Sequence, residues 1–246
     1  MPLVQKELYA AYIGEYKLPY LCFTANAASS TLKLNKTWSP NAVTLETSTD
    51  WSSWTTYTFG STITLSNIWD KVYWRNTSET DTWFSKDTSN YYQFSITWSV
   101  AWSGNTNYLL NKNSTNTVSS SCFLWLFRGS AALTSCPELP ATTIAAYCYD
   151  RMFSSCSNLE TLPKLPALSL WVGCYYQMFA SCSKIKLSTT QTWEYQTPYR
   201  IPTEWTWTLP SWTSPMTQMF NSTWWTRSWM WTPDINTTYY TSNTVV

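Results

Sequence analysis

CYDRMFSSCSNLETLPKLPA, residues 148–167, decides the reading of this chain, because its opening returns as CYYQMFASCSKI at 174–185. Shifted by 26 residues, Cys122, Cys148 and Cys174 align, and so do Phe127, Phe153 and Phe179. Cys156 aligns with Cys182, with Ser130 in the earlier copy. Leu133, Leu159 and Ile185 follow three residues later. Pro137-x-Leu139-Pro140-Ala141 returns as Pro163-x-Leu165-Pro166-Ala167, and Ile144 and Leu170 close the unit. A fixed period of 20 to 50 residues is the mark of units that bury their apolar faces only against their neighbours, a solenoid. Met219-Phe220, with Thr232-Pro233 beyond, reads as a degenerate last copy after an insertion.

Within one unit, Cys148, Met152, Phe153 and Cys156 fall at helical spacing, so a helix is expected over 145–156. Pro163 and Pro166 forbid helix in the next stretch and suit an extended run through Leu159, Leu162 and Leu165. Upstream, YLCFTA (20–25), TLKLN (31–35), AVTLET (42–47), WTTYTF (54–59), TITLS (62–66), KVYWRN (71–76) and YYQFSITW (91–98) alternate between polar clusters, which predicts antiparallel strands. The expected class is therefore α+β: an N-terminal antiparallel β-sandwich followed by a short leucine-rich-repeat-like solenoid. The expected organisation is a lead or attachment segment at 1–19, a β-sandwich domain at 20–110, the solenoid at 119–187, and an insertion, degenerate last coil and cap at 188–246. The residues 105–118 read as a polar connector.

The pattern C-Y-x-x-M-F-x-x-C-x-x-L-x-x-x-P-x-L-P-A resembles the BspA-type leucine-rich repeats of bacterial surface proteins. The run S-T-D-x-S-S-W-T-T-Y at 48–57 resembles the β module that precedes such repeats in surface and phage proteins. The strong resemblance covers about a quarter of the chain. In its cellular or phage-encoded form, it implies a non-enzymatic adhesion module at a cell surface or on a virion, with a host or partner-cell protein or glycan as its partner.

Composition narrows the function classes. The chain has 246 residues, a net charge of +1 and 12% charged residues, so no basic face points to nucleic acid. No apolar run approaches the ~20 residues of a membrane span. The opening MPLVQKELYAAYIGEYKLPY carries Lys6, Glu7, Glu15 and Lys17 and does not read as a secretory signal peptide. There are no histidines, which excludes histidine-based triads and histidine metal sites. The acids are scattered, so no paired-carboxylate cleft is legible and no catalysis or cofactor is expected. None of the seven cysteines stands in C-x-x-C spacing. They read as small buried residues sharing repeat positions rather than as a metal or redox site, and sequence leaves disulfide pairing open.

The chain has five glycines and eighteen tryptophans. Average usage would give glycine ~7%. Asp50-Trp51 stands between strand-like runs where Asp-Gly would make a hairpin turn. Trp69-Asp70 and the E-W-T-W-T of 204–208 give the same impression. This pattern is what results when a gene that reads UGA as glycine is translated with UGA as tryptophan. On that reading Trp51, Trp69, Trp224 and Trp225 should be exposed in loops, while Trp54 and Trp74 should be genuine and largely buried. The competing reading is a tryptophan-rich glycan binder.

The repeat core is expected at Cys122, Phe127, Leu133, Cys148, Phe153, Cys156, Leu159, Cys174, Phe179 and Cys182. Candidate contact residues are Glu138 and Lys164, equivalent positions one unit apart, and the aromatics Tyr149, Tyr175 and Tyr176. An alternative function is a carbohydrate-binding accessory domain with an aromatic binding face.

Overall fold

A computed structural model describes residues 20–202, 214–225 and 232–246. The lead segment 1–19 and the E-W-T-W-T run lie outside the described residues.

The first eight strands build two antiparallel sheets. They are β1 (Leu21–Ala25), β2 (Ser30–Lys36), β3 (Leu45–Ser48), β4 (Thr55–Thr56), β5 (Thr62–Leu65), β6 (Lys71–Asn76), β7 (Tyr92–Thr97) and β8 (Val100–Ser103). One sheet has the order β4-β3-β6-β1-β8 and the other β5-β2-β7. Strict alternation makes β2: Leu32 and Leu34 point inward, while Thr31, Lys33 and Asn35 are only part-buried. Aromatic side chains fill the space between the sheets. Phe23 of β1 meets Phe94 of β7 at 5.0 Å and Trp102 of β8 at 4.3 Å, and Trp74 of β6 meets Phe94 at 5.2 Å.

The polar residues 105–118 are built into the fold. Asn105 caps a single 3-10 turn, Thr106–Leu109, by accepting from the Asn107 amide. Buried Asn111 donates to the Asp81 carbonyl at 2.6 Å, and Asn76 donates to Leu109 at 3.1 Å. These bonds satisfy side chains that would otherwise be costly to bury.

The remaining strands are short: β9 (Thr117–Val118), β10 (Thr143–Ile144), β11 (Thr161–Leu162), β12 (Lys186–Ser188), β13 (Thr197–Ile201), β14 (Trp224–Trp225), β15 (Thr237–Thr241) and β16 (Thr244–Val245). Strands β9 and β10 pair in parallel, as do β11 and β16. A four-stranded sheet runs β13-β15-β12-β14.

The expected α+β class is corrected by this architecture. The described residues hold no α-helix, and the strands divide among five small sheets. The chain is a β-class fold rather than a β-sandwich followed by a solenoid. The segment 145–156 shows why the helix fails. Tyr147, Arg151 and Ser155 take φ of 56°, 48° and 64°, so every fourth residue is left-handed. An α-helix needs φ near −63° throughout. The amides of Asp150, Met152, Ser154 and Cys156 donate three residues back within the segment. The amides of Tyr149, Arg151, Phe153 and Ser155 instead cross to the carbonyls of Cys174, Tyr176, Met178 and Ala180, at 2.7–3.0 Å. The four-residue spacing of Cys148, Met152 and Cys156 is close enough to 3.6 to imitate a helical stripe.

The same crossing bonds join successive 26-residue units. The amides of Phe123 and Phe127 reach Cys148 and Met152, and those of Tyr175 and Phe179 reach Pro215 and Met219. Identical side chains therefore lie one over another. Phe94, Phe127, Phe153, Phe179 and Phe220 stack in sequence at 5.4–5.6 Å with rings within 10° of parallel. The Met219-Phe220 copy thus sits over Phe179 after its insertion. All ten residues expected in the repeat core are buried, and one apolar cluster runs from Leu21 to Tyr239 across the whole described fold.

Candidate functional site

The crossing ladder fixes where side chains of the repeat can point. Tyr149 and Tyr175 stack at 5.8 Å and are buried with Phe123 at their head. They are thereby corrected as contact residues: a ring packed between layers has no face for a sugar. Tyr176, the next residue, is only part-buried. Glu138 and Lys164 are both exposed, and no ion pair joins them. The backbone of Glu138 is held by Gly104 and Thr106, and that of Lys164 by Val246, the chain's last residue.

The left-handed position shared by Trp125, Arg151, Gln177 and Gln218 forms a second, outward column. Arg151 Nε donates to Gln177 Oε1 at 2.7 Å, and Gln177 Nε2 donates on to Gln218 Oε1. The Arg151 guanidinium also lies 4.6 Å over the Tyr176 ring and reaches Asp150 at 3.1 Å. Arg128 stands 4.7 Å over Trp125 in the neighbouring layer. Asp150 is buried beneath this row. Burial raises its carboxyl to about 6, against the opposing pull of Arg151 and Arg128.

Beside the column lies a cleft of about 320 Å3 lined by Tyr147, Asp150, Arg151, Gly173, Tyr176 and Thr217. Tyr147 keeps 43% of its surface exposed there. Gly173 makes that placement possible. It has φ +61°, and a Cβ on it would come within 2.3 Å of the Tyr147 ring. The cleft thus joins two tyrosine rings, a carboxylate, a guanidinium and a threonine hydroxyl beside the backbone ladder. Sequence reasoning named Tyr176 but missed Tyr147, Asp150, Arg151 and Gln177. The available signal was a large polar side chain at one repeat position, Arg151 and then Gln177.

A larger open cleft of about 630 Å3 is lined by Glu160, Lys184, Lys186, Asn243 and Thr244. Its charges are occupied, as Lys184 pairs with Glu160 at 2.6 Å. Asn243 is committed to the carbonyls of Glu160 and Lys184 and to the Lys186 amide.

All seven cysteines are buried and free. Cys156 and Cys182 donate to the carbonyls of Phe127 and Phe153 in the preceding layer, at 3.1 and 3.0 Å. Burial pushes the Cys182 and Cys136 thiols up to about 12. Among the described residues no group of three or more His, Cys, Asp or Glu could hold a metal ion, and no helix is long and apolar enough to cross a membrane.

The tryptophans divide by place. Trp74 is fully buried, and Trp69 is 73% exposed in a turn. Two expectations are corrected. Trp51 sits in a turn but packs on Tyr73 at 5.1 Å. The backbone of Trp224 and Trp225 is a strand paired with β12, not a loop. Trp54 is only half-buried, held between Tyr20 at 4.8 Å and the Arg75 guanidinium at 4.0 Å.

Comparison with protein-family models found no match, and comparisons with curated proteins and with solved structures found none either.

Proposed function

We propose that this protein is a non-enzymatic adhesion module of a cell surface or virion that contacts a glycan through its repeats. The observation that carries the reading is the cleft between Tyr147 and Tyr176. A sugar ring needs a flat apolar face for its C–H groups and fixed donors and acceptors for its hydroxyls. Tyr147, 43% exposed, offers the first, beside Tyr176, one face of which Arg151 covers. Asp150, Arg151 and Thr217 offer the second, and the 2.7 Å bond from Arg151 to Gln177 holds the guanidinium in place. Binding groups whose rotamers are already fixed lose less entropy on association. Burial of Tyr149 and Tyr175 argues against the alternative of an accessory domain with a broad aromatic face.

Two double variants test this. Tyr147→Ala with Tyr176→Ala should abolish binding to a glycan array and to host cells while the melting point moves by a few degrees at most. Glu138→Ala with Lys164→Ala should leave binding intact. Loss in the second variant with full binding in the first would move the site to the extended segments.

A further inference from the structure

We infer that Trp38, Trp51, Trp69 and Trp98 stand where the protein made by its own source has glycine, the gene using UGA as a glycine codon. The composition raised this idea, and the backbone now supplies an independent ground for it. Among the described residues, sixteen other than glycine take positive φ. Nine of them belong to the repeat ladder: Ser121, Trp125, Tyr147, Arg151, Ser155, Gln177, Ser181, Gln218 and Ser222. There the crossing hydrogen bonds impose the conformation on whatever residue is present, so Trp125 carries no weight. The seven outside the ladder are Ser29, Trp38, Trp51, Trp69, Trp98, Ser114 and Asn236. Serine is small and asparagine tolerates this region, but tryptophan is among the side chains least suited to it. Chance does not place the bulkiest residue at four such turns.

Three of the four turns have their own reason to want glycine. Ser48 Oγ accepts from the amides of Asp50 and Trp51, and Asp50 Oδ1 accepts from Ser52 and Ser53, closing an Asp-x turn with Trp51 at φ 68°. Trp69, at φ 73°, lies two residues after Asn67, whose amide donates to Asp70 Oδ2, and the Trp69 amide donates to the Ala25 carbonyl. Trp98, at φ 67°, lies in the two-residue link between β7 and β8. The two strands lie in different sheets, so the chain changes direction within these two residues, and glycine reaches positive φ there without strain. The side chains gain little in return. Trp38, Trp69 and Trp98 are 88%, 73% and 72% exposed, whereas Trp51 is part-buried against Tyr73 and rests on its backbone alone. Trp74, with ordinary backbone in β6 and no exposure, is the internal contrast.

Glycine at these positions removes the exposed indoles of Trp38, Trp69 and Trp98 from any sugar-binding surface, leaves those of Trp83, Trp171 and Trp193, and does not touch the tyrosine cleft. It is tested by peptide mass spectrometry on the protein isolated from its source. The expected result is glycine at 38, 51, 69 and 98, with tryptophan at 74. Tryptophan at any of the four, or glycine at 74, overturns it. Recombinant protein gives a second readout. Replacing all four by glycine should raise the melting midpoint by several degrees over replacement by alanine, which keeps the Cβ. An alanine variant as stable as the glycine variant overturns the inference.

Discussion

Phe153→Ala probes the stacked repeats at their centre. Phe153 is fully buried, with Phe127 5.6 Å away on one side and Phe179 5.5 Å away on the other, both rings within 7° of parallel. Truncating a buried phenylalanine removes its transfer free energy and leaves a cavity, together worth about 3–5 kcal/mol. The crossing bonds of layers above and below hold the cavity open, which argues for the upper half of that range. For a chain of this size each kcal/mol moves the midpoint by about 2–4 °C, so a fall of roughly 8–20 °C is expected. Urea denaturation followed by tryptophan fluorescence would give the free energy, with Tyr176→Ala as the control. Tyr176 is part-buried under Arg151, so its loss should cost no more than about 1 kcal/mol. A Phe153→Ala variant losing less than about 1 kcal/mol at unchanged slope would refute the stacked column.

Three further outcomes are expected. Asp150, raised by burial to about 6, holds its proton in the folded state where the unfolded carboxyl has lost it. Stability therefore falls as pH rises from about 4 to about 6, and Asp150→Asn should remove this slope, gaining about 1–2 kcal/mol at pH 7 and nothing at pH 4, as read from melting across that range. Gly104 has φ +80°, and a Cβ there would meet the Tyr20 carbonyl at 2.1 Å, so Gly104→Ala should cost about 2 kcal/mol or more in chemical denaturation. The thiols, buried and shifted upward, should resist alkylation at pH 8 in folded protein and react fully in denaturant.

The repeat was legible because stacking requires the same residue at the same position: Phe127 over Phe153 over Phe179 is one column written three times. Its backbone was not. Cys148, Met152 and Cys156 recur every four residues, and over so short a span that period cannot be told from 3.6. Left-handed residues at Tyr147, Arg151 and Ser155 carry no sequence mark, since the ladder accepts tyrosine, arginine and serine alike. The contact residues suffered from the same ambiguity. Tyr149 and Tyr176 stand in comparable company in the sequence, but the four-residue turn sends one inward and the other to the surface. Glu138 and Lys164 hold the same place in the sequence repeat, yet their backbone amides have different partners, Gly104 and Val246. The indoles misled in the other direction: Trp224-Trp225 looked like a turn because of its polar neighbours, but its backbone pairs with Lys186 and Leu187.

The most direct test of the account is hydrogen exchange of the protein with and without the glycan that it binds best on an array. The account predicts added protection on ligand binding in peptides spanning 145–152 and 171–178, with exchange in β2, β5 and β7 unchanged. Protection confined to those strands, with none at 145–152 or 171–178, would contradict it.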